Sequence, residues 1–330
     1  MTQTPAPLLS LRVATVDAPT SLIKSFTLEA QDGAPLPGYE PGAHIQVRIP
    51  ADDNEAPQWR SYSLINLDPA VDTRDGVRAY RLGIRREDEG RGGSRHMHTI
   101  AVGDVLTVRA PVNHFPLAAP PAVLLIAGGI GITPIAAMAA QLSAQHRDYA
   151  LHFSGRTHDA LPFVDELRAF AGERLVLHAD DDDATRLSIG PLLDATQVNQ
   201  PIYVCGPAGM IDAVLAAARQ RGWHDCDLHY ELFTEVAPLE GDTSFEVELK
   251  SSGQVLTVPA DKSVLDTLID HGVDVMYDCR AGYCGLCSTP VCSGDIDHRD
   301  TYLSDADKAG GKVMQVCVSR CNSGRLVLDL

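Results

Sequence analysis

The sequence predicts a multidomain chain: an antiparallel β-barrel, then an α/β domain on a parallel sheet, then a small α+β domain. Three observations carry this. Residues up to about 115 hold short apolar runs broken by Gly, Pro and Asp; residues from about 120 to 232 alternate apolar runs with helical stretches; and the last block combines a hairpin, one helix and closely spaced cysteines. The expected boundaries are 1–117, 118–233, a linker over 234–243, and 244–330.

In the first block, Leu9 to Val16, Ile23 to Leu28, His44 to Ile49, Arg78 to Ile84 and Val105 to Ala110 read as strands. Short strands separated by turn residues favour an antiparallel barrel. In the second block, Ala122 to Ala127, Tyr149 to Phe153, Leu175 to His178 and Ile202 to Cys205 read as strands, with a helix from Pro134 and an alanine-rich helix after Pro207. That βαβ rhythm calls for a parallel sheet. Thr234 to Thr243 holds Pro, Gly and three acidic residues, as linkers do. Beyond it, Phe245 to Leu249 and Val255 to Val258 form a hairpin around Ser-Ser-Gly. Ser263 opens a helix that Gly272 ends, with Asp266 completing a capping box and Val264, Leu265, Leu268 and Ile269 on the buried face.

Composition bounds the function. The 330 residues are 45% apolar, enough for well-formed cores, and the net charge of −17 opposes general affinity for nucleic acid or anionic membranes. Residues 240 to 330 hold 15 acidic and 8 basic side chains, which fits docking on a basic protein surface and equally fits simple solubility. Met1-Thr-Gln-Thr-Pro-Ala-Pro7 lacks a basic-then-apolar leader, and no apolar run reaches bilayer length, so a soluble cytoplasmic monomer is expected.

The chemistry is densest at Asp278-Cys-Arg-Ala-Gly-Tyr-Cys-Gly-Leu-Cys-Ser288, with Cys317 about thirty residues on. Cys279, Cys284, Cys287 and Cys317 have the spacing of a plant-type 2Fe-2S cluster. Gly282 and Gly285 suit a loop whose backbone must approach the cluster closely. A zinc site normally uses two short pairs of ligands, and a disulfide framework fits poorly with a long acidic chain without a leader. Cys317 is preferred to Cys321 because it sits in Val313-Met-Gln-Val-Cys-Val318, which reads as a buried strand. Hairpin, helix and cluster loop together suggest a β-grasp ferredoxin domain.

Two further motifs are weaker alone. Arg60-Ser61-Tyr62-Ser63-Leu64, on what reads as a strand edge, suits a phosphorylated planar ring: Arg60 for phosphate, Tyr62 for packing, Ser63 for a ring nitrogen. Gly92, Gly93 and Ser94 could meet the same phosphate. Taken alone, the first motif reads more readily as a plain strand with an exposed arginine. Ala127-Gly-Gly-Ile-Gly-Ile-Thr-Pro134 and Val204-Cys-Gly-Pro-Ala-Gly209 each sit between strand and helix, where glycines let a dinucleotide pyrophosphate approach and where Cys205 could face nicotinamide. A structural buried cysteine is the competing reading. His96 and His98 read as residues of a solvated loop.

In their order and setting these motifs resemble the phthalate dioxygenase reductase family over essentially the whole chain. Arg60, Tyr62 and Ser63, with Ser61 between them, match its flavin motif, and Gly92, Gly93 and Ser94 its FMN phosphate loop. Asn113-His-Phe-Pro-Leu117 matches the join of barrel and NAD domain. Gly128, Gly129, Gly131, Thr133 and Pro134, with Cys205, Gly206 and Pro207, match the nicotinamide turns. Glu231 and Phe233 match a pair lying against the flavin, and the four cysteines match the cluster ligands. Arg280-Ala281 departs from the Glu that relatives often carry and looks more like chloroplast ferredoxins.

The resemblance implies FMN, NADH and a 2Fe-2S cluster as cofactors. FMN is preferred to FAD because of the Gly-Gly-Ser loop. NADH is preferred to NADPH because Ser154-Gly-Arg156-Thr offers one arginine while Asp180 to Asp183 oppose phosphate. It implies that flavin takes a hydride and releases electrons singly, with Ser63 bonding N5, Thr133 and Cys205 positioning nicotinamide, and Phe233 shielding the ring. The implied acceptor is a Rieske-type oxygenase acting on an aromatic or quaternary-amine substrate. A haem-thiolate monooxygenase partner and a non-catalytic redox sensor are the alternatives. No Ser-His-Asp or Glu-x-x-His arrangement suggests hydrolysis.

Overall fold

Alternating apolar and polar residues drive the first sheet, because each strand must bury one face and wet the other. The computed structural model describes residues 7–50, 58–88, 92–118, 122–198, 200–233, 239 and 241–330. Strands β1 (Leu8–Thr20), β2 (Ile23–Ala30), β3 (Ala43–Ile49), β4 (Gln58–Ser63), β5 (Ala79–Arg85) and β6 (Val105–Asn113) form one antiparallel sheet ordered β4-β3-β6-β1-β2-β5. Its edges meet through a bridge between Leu64 and Leu82 and a bond from Ile65 N to Arg81 O of 2.9 Å, which curls the sheet into a barrel. Phe26, Leu28, Ile45, Val47 and Leu82 fill it, and helix α1 (Gly93–Thr99) adds Met97. Each such side chain contributes about 1.5–3 kcal/mol by leaving water.

His96 and His98 lie in α1 and not on a solvated loop, and His98 Nε2 bonds Ile84 O at 3.0 Å. Gly92 precedes the helix at φ 82°, a conformation that favours glycine and lets the chain turn into it.

The second sheet is wholly parallel, ordered β11-β10-β7-β8-β9, from β7 (Ala122–Gly128), β8 (Asp148–Gly155), β9 (Leu175–Ala179), β10 (Ile202–Cys205) and β11 (Leu228–Glu231). Helices α2 (Ile132–Ala144), α3 (Val164–Ala171), α4 (Ile189–Asp194) and α5 (Ala208–Gln220) complete it. The first of these starts two residues before Pro134, following a single 3₁₀ turn over Gly129–Gly131, and its small apolar residues are buried almost throughout. Alanines permit that close approach to strands without voids.

The chain falls into two compact units, Met1–Glu231 and Leu232–Leu330, so barrel and parallel sheet share the first. Gly83 of β5 lies at their seam. A Cβ there would come within 3.0–3.2 Å of Ile65, Thr133 and Phe163 side chains. Arg81 pairs with Glu166 of α3 at 2.5 Å and covers the Phe163 ring at 5.1 Å. That half-exposed ion pair is worth under about 1 kcal/mol, so buried Ile65, Leu161 and Phe163 do more to hold the seam.

In the second unit, β12 (Phe245–Leu249), β13 (Val255–Val258), β14 (Ser288–Ser293), β16 (Val313–Gln315) and β18 (Arg325–Leu328) form a mixed sheet ordered β13-β12-β18-β14-β16. β15 (Ile296–Asp297) pairs with β17 (Arg320–Cys321). Helix α6 (Val264–Asp270) lays Val264, Leu265 and Leu268 on the core, and Ser263 Oγ accepts from Asp266 N at 3.0 Å, while α7 (Asp305–Gly310) precedes β16. The strand expected over Val313 to Val318 stops at Gln315. Its carbonyl accepts from both Val318 N and Ser319 N, which closes a turn and leaves Cys317 inside it.

Of the expected linker, residues 234–238 and 240 lie outside the described residues. Its end is fixed: Asp242 is buried against Arg299 at 2.6 Å and near Arg320 at 3.6 Å. Among the described residues no helix is long and apolar enough to cross a membrane.

Candidate functional site

Parallel strands all point their carboxyl ends the same way, so turns after β7, β8 and β10 gather at one edge of the sheet. Gly128, Gly129 and Gly131 follow β7, while Cys205, Gly206 and Pro207 follow or end β10, with Cys205 in register with Ala127. The two turns are in backbone contact. A Cβ on Gly131 would stand 2.2 Å from Cys205 O and 2.8 Å from Gly206 N. One on Gly206 would stand 3.0 Å from Gly128 Cα. Glycine is thus required here by close approach rather than by dihedral angle, except at Gly129 with φ 55°.

Thr133, 2% exposed, bonds Ile130 O at 3.0 Å through its hydroxyl. Cys205 is 0% exposed, and burial, with Glu231 adding, pushes its thiol well above the ordinary range. At neutral pH it is a neutral thiol, neither nucleophile nor thiolate ligand. Glu231 is in register beside it and buried, whereas Phe233 is exposed. Arg156 lies exposed just past β8, where Asp180 N bonds Gly155 O at 2.9 Å and Asp181 N bonds Arg156 O at 3.2 Å. The acidic loop 180–183 therefore borders Arg156.

The barrel brings its own residues to the seam. Arg60, Ser61, Tyr62 and Ser63 lie on β4, the strand whose continuation bridges β5. Arg60 and the start of α1 meet: a Cβ on Gly93 would stand 2.7 Å from Arg60 Cγ. Ser94 is already engaged, bonding Glu87 N at 3.0 Å through its hydroxyl, so it braces the preceding loop. Tyr62 is largely buried, which raises its phenol above the ordinary range, and Ser63 ends the strand at 6% exposure. From Leu64 the path crosses to Leu82, and Gly83 beside it touches Thr133. The end of β4 and the turn that carries Thr133 are thus one strand apart.

Gly83 and Phe163 were missed by sequence reasoning. A glycine inside the strand Arg78 to Ile84 is a signal for close approach, but Phe163, at φ 62°, leaves no such mark.

In the second unit the four expected sulfurs come together. The Cys279 thiol sits far below the ordinary range because Cys284 and Cys317 donate to it, and Cys287 is lowered because Cys317 donates to it as well. The donors Cys284 and Cys317 are correspondingly raised. Deprotonating all four at one place would demand cations, which the two irons of a bound cluster would supply. The loop geometry fits such a cluster. Gly282 (φ 77°) and Gly285 (φ 75°) are left-handed, and a Cβ on Gly285 would lie 2.2 Å from the Tyr302 ring. Gln315, fully buried, accepts from Cys287 Sγ at 3.3 Å and donates to Ser288 at 2.6 Å. Its lone polar position in an apolar run was the available signal. Cys321 bonds Ser323 instead, at 3.5 Å.

Comparison with known proteins agrees with this arrangement. Residues 247–322 match the 2Fe-2S iron-sulfur cluster binding domain, and residues 125–216 match the oxidoreductase NAD-binding domain. Vanillate O-demethylase oxidoreductase of Pseudomonas putida is 41% identical over 314 residues, covering 93% of this chain and 95% of that protein. Oxidoreductase NdmD of Pseudomonas putida is 38% identical over 335 residues, covering the whole chain, which spans only 55% of NdmD. The solved structure of phthalate dioxygenase reductase, described as modular for electron transfer from pyridine nucleotides to [2Fe-2S], superposes with a TM-score of 0.75 at 35% identity, covering 98% of both chains. An intact type IV self-sufficient cytochrome P450 monooxygenase gives a TM-score of 0.75 at 34% identity, covering all of this chain and 42% of that one.

Proposed function

Because the chain belongs to the phthalate dioxygenase reductase family, we propose that it is an NADH-dependent reductase delivering electrons to a separate oxygenase. The observation that carries the reading is the seam at Gly83, where the end of the β4 motif and the Thr133 turn approach across a single strand. Bound FMN would supply the exchange of a hydride for two single electrons, and a bound 2Fe-2S cluster a one-electron relay.

The residues divide that work. Arg60 and the Gly92–Gly93 backbone hold the flavin phosphate, with Ser94 bracing the turn. Tyr62 would pack against the ribityl chain or ring of bound FMN, and Ser63 would offer its hydroxyl to a ring nitrogen. Gly128, Gly129, Gly131, Gly206 and Pro207 would admit the nucleotide, Thr133 and Cys205 would flank nicotinamide, and Glu231 would bound the ring. Cys205 acts through shape and not as a base, since its proton is held by burial. Asp180 and Asp181, beside Arg156, oppose a 2′-phosphate and favour NADH. Cys279, Cys284, Cys287 and Cys317 hold the cluster.

The acceptor is a Rieske-type oxygenase on this reading, supported by the likeness to a demethylase oxidoreductase. A haem-thiolate acceptor is the second reading, favoured by the likeness to a self-sufficient P450. Anaerobic titration with NADH, followed by visible absorption and low-temperature EPR, tests the shared chemistry. Release of FMN, bleaching of flavin and a rhombic S = 1/2 signal are expected. A bound cluster that NADH leaves oxidised, with no flavin released, would sink the proposal. Reduction rates with purified Rieske and P450 acceptors then choose between partners.

A further inference from the structure

The residue after the first cluster ligand has an unusual backbone. Arg280 lies at φ 53°, a left-handed conformation that among the described residues only His146 and Phe163 share outside glycine. Bulky L-residues rarely adopt it, because Cβ crowds the carbonyl oxygen, so neighbouring structure must enforce it. Here the enforcement is visible. Arg280 Nη1 donates to Asp266 Oδ1 at 2.6 Å, with side chains only 11% and 14% exposed, and the guanidinium covers the Tyr277 ring at 4.6 Å. Asp266 is fixed in turn on the first turn of α6, where its other carboxylate oxygen accepts from Ser263 Oγ at 2.7 Å.

The kink has a consequence for the ligand. It turns the next peptide so that Ala281 N points at Cys279 Sγ, 3.4 Å away. An N–H directed at a ligand sulfur stabilises the more negative, reduced cluster and raises its reduction potential.

We infer that Asp266 is a positioning residue for the cluster, acting through Arg280 to hold the left-handed turn that aims Ala281 N–H at Cys279. The inference rests on the reading of the four cysteines as 2Fe-2S ligands. It assigns a tuning role to a residue of α6, outside the loop that carries Cys279, Cys284 and Cys287. Arg280 is held as a strut by its ion pair and by the tyrosine, and its charge is largely cancelled by Asp266.

Alanine and glycine at position 280 separate conformation from charge, since both remove the guanidinium and only glycine accepts the left-handed region freely. The experiment is an EPR-monitored redox titration of the cluster in the purified full chain, comparing parent, Arg280→Ala, Arg280→Gly and Asp266→Asn. Arg280→Ala and Asp266→Asn are expected to lower the midpoint potential, weakening the reduction equilibrium by up to about tenfold, or about 59 mV for one electron. Arg280→Gly should shift it less than half as far as alanine does. Ser263→Ala, which removes the bond to the second carboxylate oxygen of Asp266 and keeps its pair with Arg280, should lower the potential by less than Asp266→Asn does. Equal shifts for alanine and glycine would overturn the inference. So would an upward shift for Asp266→Asn, the sign that simple loss of an anion produces, or no shift in any variant. Absence of an S = 1/2 signal in the reduced parent would instead overturn the cluster reading and remove the basis of the inference.

Discussion

Gly131→Ala perturbs the nucleotide site with one methyl group. Its Cβ would stand 2.2 Å from Cys205 O, 2.4 Å from Cys205 C and 2.8 Å from Gly206 N. Ordinary van der Waals contact begins near 3.4 Å, so the two turns must separate by about 1 Å. All three contacts are backbone at the end of a central strand, and no rotamer change relieves them. Overpacking of that kind costs about 1–3 kcal/mol of stability. A misplacement of about 1 Å between reacting groups can slow a reaction by about a hundredfold. Stopped-flow reduction of the bound flavin by NADH, together with thermal unfolding, reads both. The control is Gly172→Ala, a glycine at φ 55° with open space around its Cβ, which carries backbone strain without a clash. Flavin reduction should slow at least tenfold in Gly131→Ala and stay near the parent rate in Gly172→Ala. Equal rates in the two variants would refute the claim that contact between the turns places the nucleotide.

Three further outcomes follow from the same structure. Cys317→Ser should abolish the visible absorption and EPR signal of the cluster, whereas Cys321→Ser, whose sulfur bonds Ser323, should retain both. Mass spectrometry after iodoacetamide at pH 8 should find Cys226 and Cys292 alkylated, since both are exposed, and Cys205 unmodified; alkylated Cys205 in the folded chain would contradict its burial. Asp242 is held down at about 2, chiefly by hydrogen bonds from Arg299. A depressed carboxyl stabilises the fold above its unfolded value near 3.8 and loses that contribution as pH falls toward 2. Thermal unfolding should therefore show Asp242→Asn below the parent at pH 6 and approaching it between pH 4 and 2, and a constant gap would count against the pairing.

Local signals were enough for much of this molecule. Strand and helix identities followed from period and from punctuation by Gly and Pro, because those patterns act within one element. The gathering of Cys279, Cys284, Cys287 and Cys317 was legible because three of them sit in one loop. The helix cap at Ser263 formed as its spacing foretold. Where local reading failed, distant groups intervened. The run through Val318 has strand composition, yet the Gln315 carbonyl bends it into a turn. His96 and His98 look solvated in sequence, yet they lie in a short helix anchored by Met97 in the barrel and by His98 on Ile84.

By itself the sequence determined the order of the three larger sheets, the glycine turns, the cysteine spacing and the likeness to a reductase family. Only the tertiary structure decided that Gly83 opens the seam beside Thr133, that Cys205 is sealed as a neutral thiol, and that Asp266 reaches Arg280 to shape the first ligand's turn. The division has a physical cause. Spacing encodes groups that meet within a loop or along one element, whereas burial, charge pairing and backbone contact between turns arise only when separate elements pack, at distances no single stretch of chain specifies.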